Sequence, residues 1–288
     1  MKIATHSGNF HADEVTAVAI LKLIYPKAKV IRTRDEKKLN ETNIRVDVGR
    51  KYNPKTKDFD HHQKSFKLKR KNGVPYASAG IIWKHYGGKL AKSKESFEYI
   101  DKKIIQGIDA EDLGINLEDK NNIYHYTISK IIYSFSHDRT NAWIINKNFN
   151  EAVRIMVKIL SNEITHLINI EKDKKRVLFE IKKSNGDYIV FDPPTPSWKE
   201  TVIEKSKIKF VIFKYSGGDW WCSFAVLKEL DKFENRKLFP KKWADLTNEK
   251  LAKVSGVKDA LFCHKDRFIV TAKSKEGVIK LTELALKK

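Results

Sequence analysis

The stretch KIATHSGNFHADE, residues 2–14, sets a short apolar strand directly ahead of a loop rich in histidine and acid. After it, Val15, Val18, Leu21 and Ile24 recur at helical spacing until Pro26 ends the pattern. The same alternation continues downstream. Buried strands are expected at 29–33 and 44–48, the second closed by Gly49, with a short extended piece at 58–62. Helices are expected at 79–86, ended by Gly87-Gly88, and at 97–108, where Phe97, Ile100, Ile104 and Ile108 keep a helical period. Strands alternating with helices predict an α/β domain built on a parallel sheet, over residues 1–145.

Beyond that point the pattern changes. One long helix, or two joined near EKDKK, is expected over 149–183, followed by the loop DPPTPSW. A hairpin then has arms at 210–215 and 220–226 around Ser216-Gly217-Gly218-Asp219. A strand pair at 261–264 and 268–272 and a helix at 276–286 close a smaller α+β domain over residues 146–288.

Composition narrows the function. Apolar residues make up 41% of the 288, enough for real cores, and charged residues 32%. A formal net charge of +21 is a large self-repulsion that a polyanion would relieve, nucleic acid first and an anionic membrane second. The bland alternative is a lysine-rich composition, since the Lys-Lys pairs are scattered rather than gathered into a stripe. Only Cys222 and Cys263 occur, which argues against a zinc ribbon or a disulfide framework and fits a reducing compartment. With no secretion signal and no apolar run of membrane-spanning length, the expectation is a soluble, cytoplasmic protein with no membrane association. The sequence leaves a homo-oligomer open.

The chemistry gathers where strands are expected to end, which is where open α/β sheets place their ligands. His6, His11 and Asp13 follow the first strand, Asp47 ends its strand in RVDVG, and Asp60-His61-His62 form a triplet. Asp109 lies in QGIDAED at the end of a helix. Packing gives no reason for so many ionisable groups in these places. Imidazole and carboxylate without thiolate suit Mn²⁺, Mg²⁺, Co²⁺ or Zn²⁺. Asp47, between Val46 and Val48, would leave a charge in apolar surroundings unless a cation offsets it, and bridging two cations would do so.

THSGNFHADE, RTRD, VDVG, DFDHHQKSF, ASAGIIWKHYG and IDAED together resemble the motifs of the melanocyte-proliferating-gene family, a metal-dependent hydrolase or exonuclease branch of the DHH phosphoesterases. The resemblance continues through PSWKE, RKLFPKKWADL and SGV to ALFCHKDRF, nearly the whole chain in order. It implies a DHH-type catalytic domain followed by a substrate-binding domain. One metal would be held by His6, His11 and Asp47, the other by Asp13, Asp47, His61 and Asp109. Asp47, Asp60 and His62 would be the catalytic group, with His62 facing the substrate phosphate and Asp60 orienting its neighbours. The implied reaction is phosphodiester hydrolysis by a metal-bridged hydroxide, in a manganese-type 3′-5′ exonuclease favouring RNA over single-stranded DNA.

Two departures stand out. His264 is followed by Lys-Asp-Arg-Phe-Ile-Val-Thr where the family has a glycine-rich stretch that grips substrate, so Lys265 and Arg267 would replace backbone amides with side-chain charge. Asp112-Leu113-Gly114 stands where Asp-Asn-Gly is common, a change that spares the expected ligand Asp109. His264, Lys265, Arg267 and Arg236 of RKLFPKKWADL are the substrate-binding candidates of the second half. In the first half, Arg32 and Arg34 of RTRD either bind phosphate or pair with Asp35 and Glu36. Ser78 either opens an anion-binding helix terminus or acts as a plain N-cap. The competing functions are a phosphatase for pyrophosphate or a short dinucleotide, and a non-catalytic nucleic-acid binder, which a missing ligand would betray.

Overall fold

The computed structural model of the chain describes residues 1–115, 125–136, 140–184 and 186–287. Two compact units divide it, Met1–Ile168 and Asn169–Lys288.

In the first unit, β1 (Lys2–Thr5) runs into the HSGNFH loop and then α1 (Ala12–Ile24). Next come β2 (Lys29–Arg32), α2 (Glu36–Asn40), β3 (Ile44–Val46), β4 (Tyr52–Asn53) and β5 (Asp58–Phe59). The strands form one sheet in the order β2-β1-β3-β5-β4. Its β2-β1-β3-β5 pairings are all parallel, with Ile3 opposite both Val30 and Ile44, and β4 is an antiparallel edge. Ile3, Ile44, Val46 and Phe59 are buried, so the β-branched and aromatic residues that favour strands also make the core. Every residue of α1 from Ala12 to Leu21 is buried, as a helix covered on all sides requires.

Helix α3 (Ser78–Tyr86) packs against α1. Helices α4 (Lys94–Ile100) and α5 (Gln106–Asp112) are joined through a wide π turn at Asp101–Ile105, where the sequence reading has one helix. Helix α6 (Ile128–Tyr133) packs on α1 and α5. The long helical pattern is a single helix, α7 (Ala142–Lys183). The division between units falls inside α7, not at residues 145–146 near its start. Its first turns belong to the first unit because Ile145, Phe149, Ala152, Val153, Met156 and Leu160 are buried, with Phe149 edge-on to Phe10 at 5.5 Å.

The second unit contains β6 (Tyr188–Phe191), α8 (Trp198–Lys205), β7 (Phe210–Lys214), β8 (Trp221–Ala225), α9 (Asn248–Ser255), β9 (Ala260–Cys263), β10 (Ile269–Ala272) and α10 (Lys275–Leu286). Its sheet has the order β6-β7-β8-β10-β9, antiparallel except for the β6–β7 pair. Both faces are covered. Phe210, Phe239, Trp243, Val270 and Leu281 form one core, and Val177, Phe191, Val202 and Val211 the other.

One close approach in the first unit depends on a missing side chain. A Cβ on Gly80 of α3 would sit 1.9 Å from Asp109 Oδ2 and 2.7 Å from Arg70 Nη2. Gly80→Ala is therefore expected to lower stability by about 2 kcal/mol, the scale of an overpacked core site. Denaturant unfolding measures this, and an unchanged midpoint would show that α3 and α5 need not approach so closely.

Candidate metal centre

The ends of β1, β3 and β5 bring their loops together, as a parallel sheet with those strands adjacent must. Asp47 sits where the chain turns out of β3 in the left-handed region, with φ of 55°, followed by Gly49 at 93° and Arg50 at 50°. This conformation is costly for most side chains and tolerated by aspartate. It carries the Asp47 carboxylate back among the imidazoles. His6 Nε2 lies 3.3 Å from Asp47 Oδ2, and His61 Nδ1 and His62 Nδ1 lie 3.5 and 3.4 Å from Oδ1.

Around this centre each group is held by a second. Ser78 Oγ donates to Asp47 Oδ1 at 3.0 Å and lies 3.2 Å from His61 Nδ1. Its role is thus to orient a carboxylate and an imidazole, while Ala77 occupies the N-cap position. Asp60 accepts from His62 Nδ1 at 2.8 Å and from the His62 and Arg50 amides at 2.9 and 2.7 Å. Those bonds hold the Asp60 carboxyl below its usual range against the opposing effect of burial. Glu14, fully buried, accepts from the His11 amide at 2.9 Å and lies 2.9 Å from His6 Nε2. It ties together two of the predicted ligands.

Asp13 is the exception. It is fully buried, and neither carboxylate oxygen receives a hydrogen bond from a described residue. Burial first, then the neighbouring carboxylates of Asp47, Asp112 and Glu14, push its pKa well above the ordinary value. An orphaned carboxylate facing three others fits a cation and fits little else. Ligand atoms lie close enough to share an ion in overlapping groups: Asp47 with Asp60, His61 and His62; His6 with His11 and Glu14; His11 with Asp13 and Asp112; Asp13 with Glu14 and Asp47.

The residue from QGIDAED that joins this cluster is Asp112. Its Oδ2 lies 3.3 Å from His61 Nε2 and its Oδ1 3.9 Å from His11 Nδ1. The predicted Asp109 is turned away from it. Asp109 Oδ1 accepts from the Gly80 amide at 2.9 Å, and Oδ2 pairs with Arg70 Nη1 at 2.8 Å. Burial pushes Asp109 up to about 7 even against the Arg70 charge. The sequence signal for Asp112 was present: it is the last residue of the helix that carries Asp109.

Several residues expected to contact substrate make contacts within the scaffold. Arg32 donates to the Gly8 carbonyl at 2.6 Å and to Asn146 Oδ1 at 3.0 Å, with its guanidinium 4.5 Å from the Phe149 ring. Arg236 donates to the carbonyls of Ile208 and Ile203 at 2.9 and 2.6 Å, and Arg267 to that of Phe239 at 3.1 Å. His264 Nδ1 accepts from the Asp266 amide at 3.1 Å inside the β9–β10 turn, where Lys265 is exposed. Arg34, weighed with Arg32 in the sequence, reaches the site, as does Arg50, which the sequence did not single out. Arg34 and Arg50 line a cavity of about 370 Å³ with His6, Asp47, Asp60 and His62.

The family described as an uncharacterised protein family (UPF0160), with the model label MYG1_exonuc, matches residues 2–286. The MYG1 protein of Dictyostelium discoideum is 29% identical across 97% of this chain and 94% of its own. The MYG1 exonuclease of Mus musculus is 28% identical across 99% of this chain and 84% of its own. Among solved structures, exonuclease RecJ bound to manganese is similar at 9% identity over 100% of this chain and 90% of that one, with a TM-score of 0.31, too low to carry a structural argument. Fold, site and relatives together define a metal-dependent hydrolase of α/β construction with a parallel sheet. The chain belongs to the MYG1 exonuclease family, which its sequence matches almost from end to end.

His6 bears on how a cation enters. Burial opposes its charged form, but Asp47 and Glu14 outweigh burial and raise it to about 10. Burial and the neighbouring carboxylates shift Asp13 toward its protonated form as well. A cation must displace the proton of each, so Mn²⁺ uptake is expected to release protons and to tighten as pH rises from about 6 to about 9. Calorimetry in buffers of different ionisation enthalpy measures the release. Affinity independent of pH would show that neither group is a ligand.

Proposed function

We propose that the chain is a two-metal phosphodiesterase that removes nucleotides from the 3′ end of RNA, with single-stranded DNA as the lesser substrate. The observation that carries this reading is Asp13, buried and unpaired among Asp47, Asp112 and Glu14. His6, His11 and Asp47 would hold one divalent cation, and Asp13, Asp47, His61 and Asp112 the other, with Asp47 shared. Asp112 thus takes the place expected of Asp109. Mn²⁺ suits these donors, as do Mg²⁺, Co²⁺ and Zn²⁺. When bound, such a pair lowers the pKa of water and neutralises charge on phosphoryl oxygens.

The chain's own residues supply the rest. Arg34 and Arg50 bring guanidinium charge to the cavity above Asp47, where a phosphate would sit. His62 has its Nδ1 committed to Asp60, and its side chain is 56% exposed. Asp47 and Asp60 push His62 up to about 10, so Nε2 holds a proton it can direct at a phosphate oxygen. The net charge of +21 supports a long polyanion over a small phosphate ester, because each phosphate contact releases counterions. The mouse relative's name, an exonuclease, agrees with this class of reaction.

The ligand assignment separates two aspartates on one helix. Asp112→Asn is expected to weaken Mn²⁺ binding by roughly 100-fold or more, beyond the effect of losing an outer partner. Asp109→Asn should instead lower stability by about 3 kcal/mol through the broken Arg70 pair, with Mn²⁺ affinity within about tenfold of wild type. Calorimetric titration and denaturant unfolding of both variants decide it, and the opposite pattern restores Asp109 as the ligand.

The reaction is tested with Mn²⁺ and 5′-labelled RNA, where a ladder shortening from the 3′ end is expected and a chelator should abolish it. Cleavage of pyrophosphate or dinucleotides but not of RNA would replace the nuclease reading with the small-molecule one.

A further inference from the structure

A second cavity, of about 340 Å³, opens beside the metal centre between α5 and α6. That volume falls within the range of roughly 300–1,000 Å³ typical of small-molecule sites. His11 lines both this cavity and the one above Asp47, so the two are neighbours across a single imidazole. Asp112 lines it too. So does Tyr133 of α6, 56% exposed although its helix packs on α1 and α5. Ile108 gives an apolar floor. Among the described lining residues, Glu111, Ser129 and Lys130 are also polar.

We propose that this cavity seats the terminal nucleoside of the substrate, with the base against the Tyr133 ring and the sugar toward Glu111. The inference rests on the phosphodiesterase reading, which places the phosphate on the other side of His11. A nucleoside has the two surfaces the cavity offers, a flat heteroaromatic face and a hydroxyl-bearing sugar. An aromatic ring stacks on any base, so Tyr133 supplies affinity without sequence preference. Glu111 can only accept when ionised, as a sugar diol needs. Glu111 is already steadied for that, since its Oε1 accepts from Thr127 Oγ1 at 2.8 Å.

Adenosine 5′-monophosphate and inorganic phosphate, titrated calorimetrically into the Mn²⁺-loaded protein, separate the nucleoside cavity from the phosphate site. Wild type is expected to bind the nucleotide at least tenfold more tightly than phosphate. Tyr133→Ala should erase most of that difference and leave phosphate affinity unchanged, Tyr133→Phe should keep it, and Glu111→Gln should lower nucleotide affinity several-fold. Equal affinity of wild type for nucleotide and phosphate overturns the proposal, as does a Tyr133→Ala variant that weakens both alike or neither. Turnover distinguishes the two readings. Nucleotide discrimination without RNA cleavage sinks the exonuclease reading and keeps the cavity, whereas RNA cleavage with an unchanged KM in Tyr133→Ala sinks the cavity and keeps the exonuclease.

Discussion

Carboxylates of Asp13, Glu14, Asp47, Asp60 and Asp112 converge within one small, largely buried region, and their mutual repulsion is the constraint around which the first unit is built. An ionised carboxylate taken out of water costs several kcal/mol after relaxation unless it is paired. Three of the five have clear partners: Glu14 in His6 and the His11 amide, Asp47 in Ser78 and the surrounding imidazoles, Asp60 in His62 and the Arg50 amide. For Asp13 no described donor offsets the charge, and that imbalance makes the cluster a receptor for cations. The left-handed turn at Asp47 follows from the same requirement, because it aims the carboxylate at His6, His61 and His62.

The scaffold around this charge is braced largely by arginine. Arg32 clamps the HSGNFH loop through the Gly8 carbonyl and stacks near Phe149, joining the first loop of the site to the start of α7. Arg70 pairs with both Asp101 and Asp109, so the π turn and α5 are held in one network beside Gly80 of α3. That network in turn sets where Ser78 and Asp112 stand, one on α3 and the other at the end of α5. A planar guanidinium with several donors suits this work better than an ammonium would. Part of the large positive charge therefore cements backbone and carboxylates rather than waiting for a polyanion.

Strand-to-helix alternation was legible over most of the first unit, because apolar residues at period two and at helical spacing are local signals. A helical pattern over most of α7 was legible too, but not that it is one helix, nor where the chain divides. An amphipathic helix can bury its face against whatever lies nearby, and only folding shows that Ile145, Phe149, Ala152, Val153, Met156 and Leu160 are buried in the first unit. Strand β6 and helix α8 escaped notice because Tyr188–Phe191 gains its partner from β7 about twenty residues away in sequence.

The sequence by itself determined that histidines and aspartates stand at the ends of strands, and with them the family and the chemistry of a cation site. His6, Asp13, Asp47, His61 and His62 needed only strand order to meet, and a parallel sheet supplies that. Tertiary structure decided what no spacing could. Asp109 and Asp112 share a helix, yet one faces Arg70 and Gly80 and the other faces His61. Arg32, Arg236 and Arg267 have the charge of phosphate binders, but each donates to a main-chain carbonyl. Residue type gives a side chain its capacity for interaction. Which partner it meets depends on neighbours distant in sequence, and only the folded chain brings those neighbours into reach.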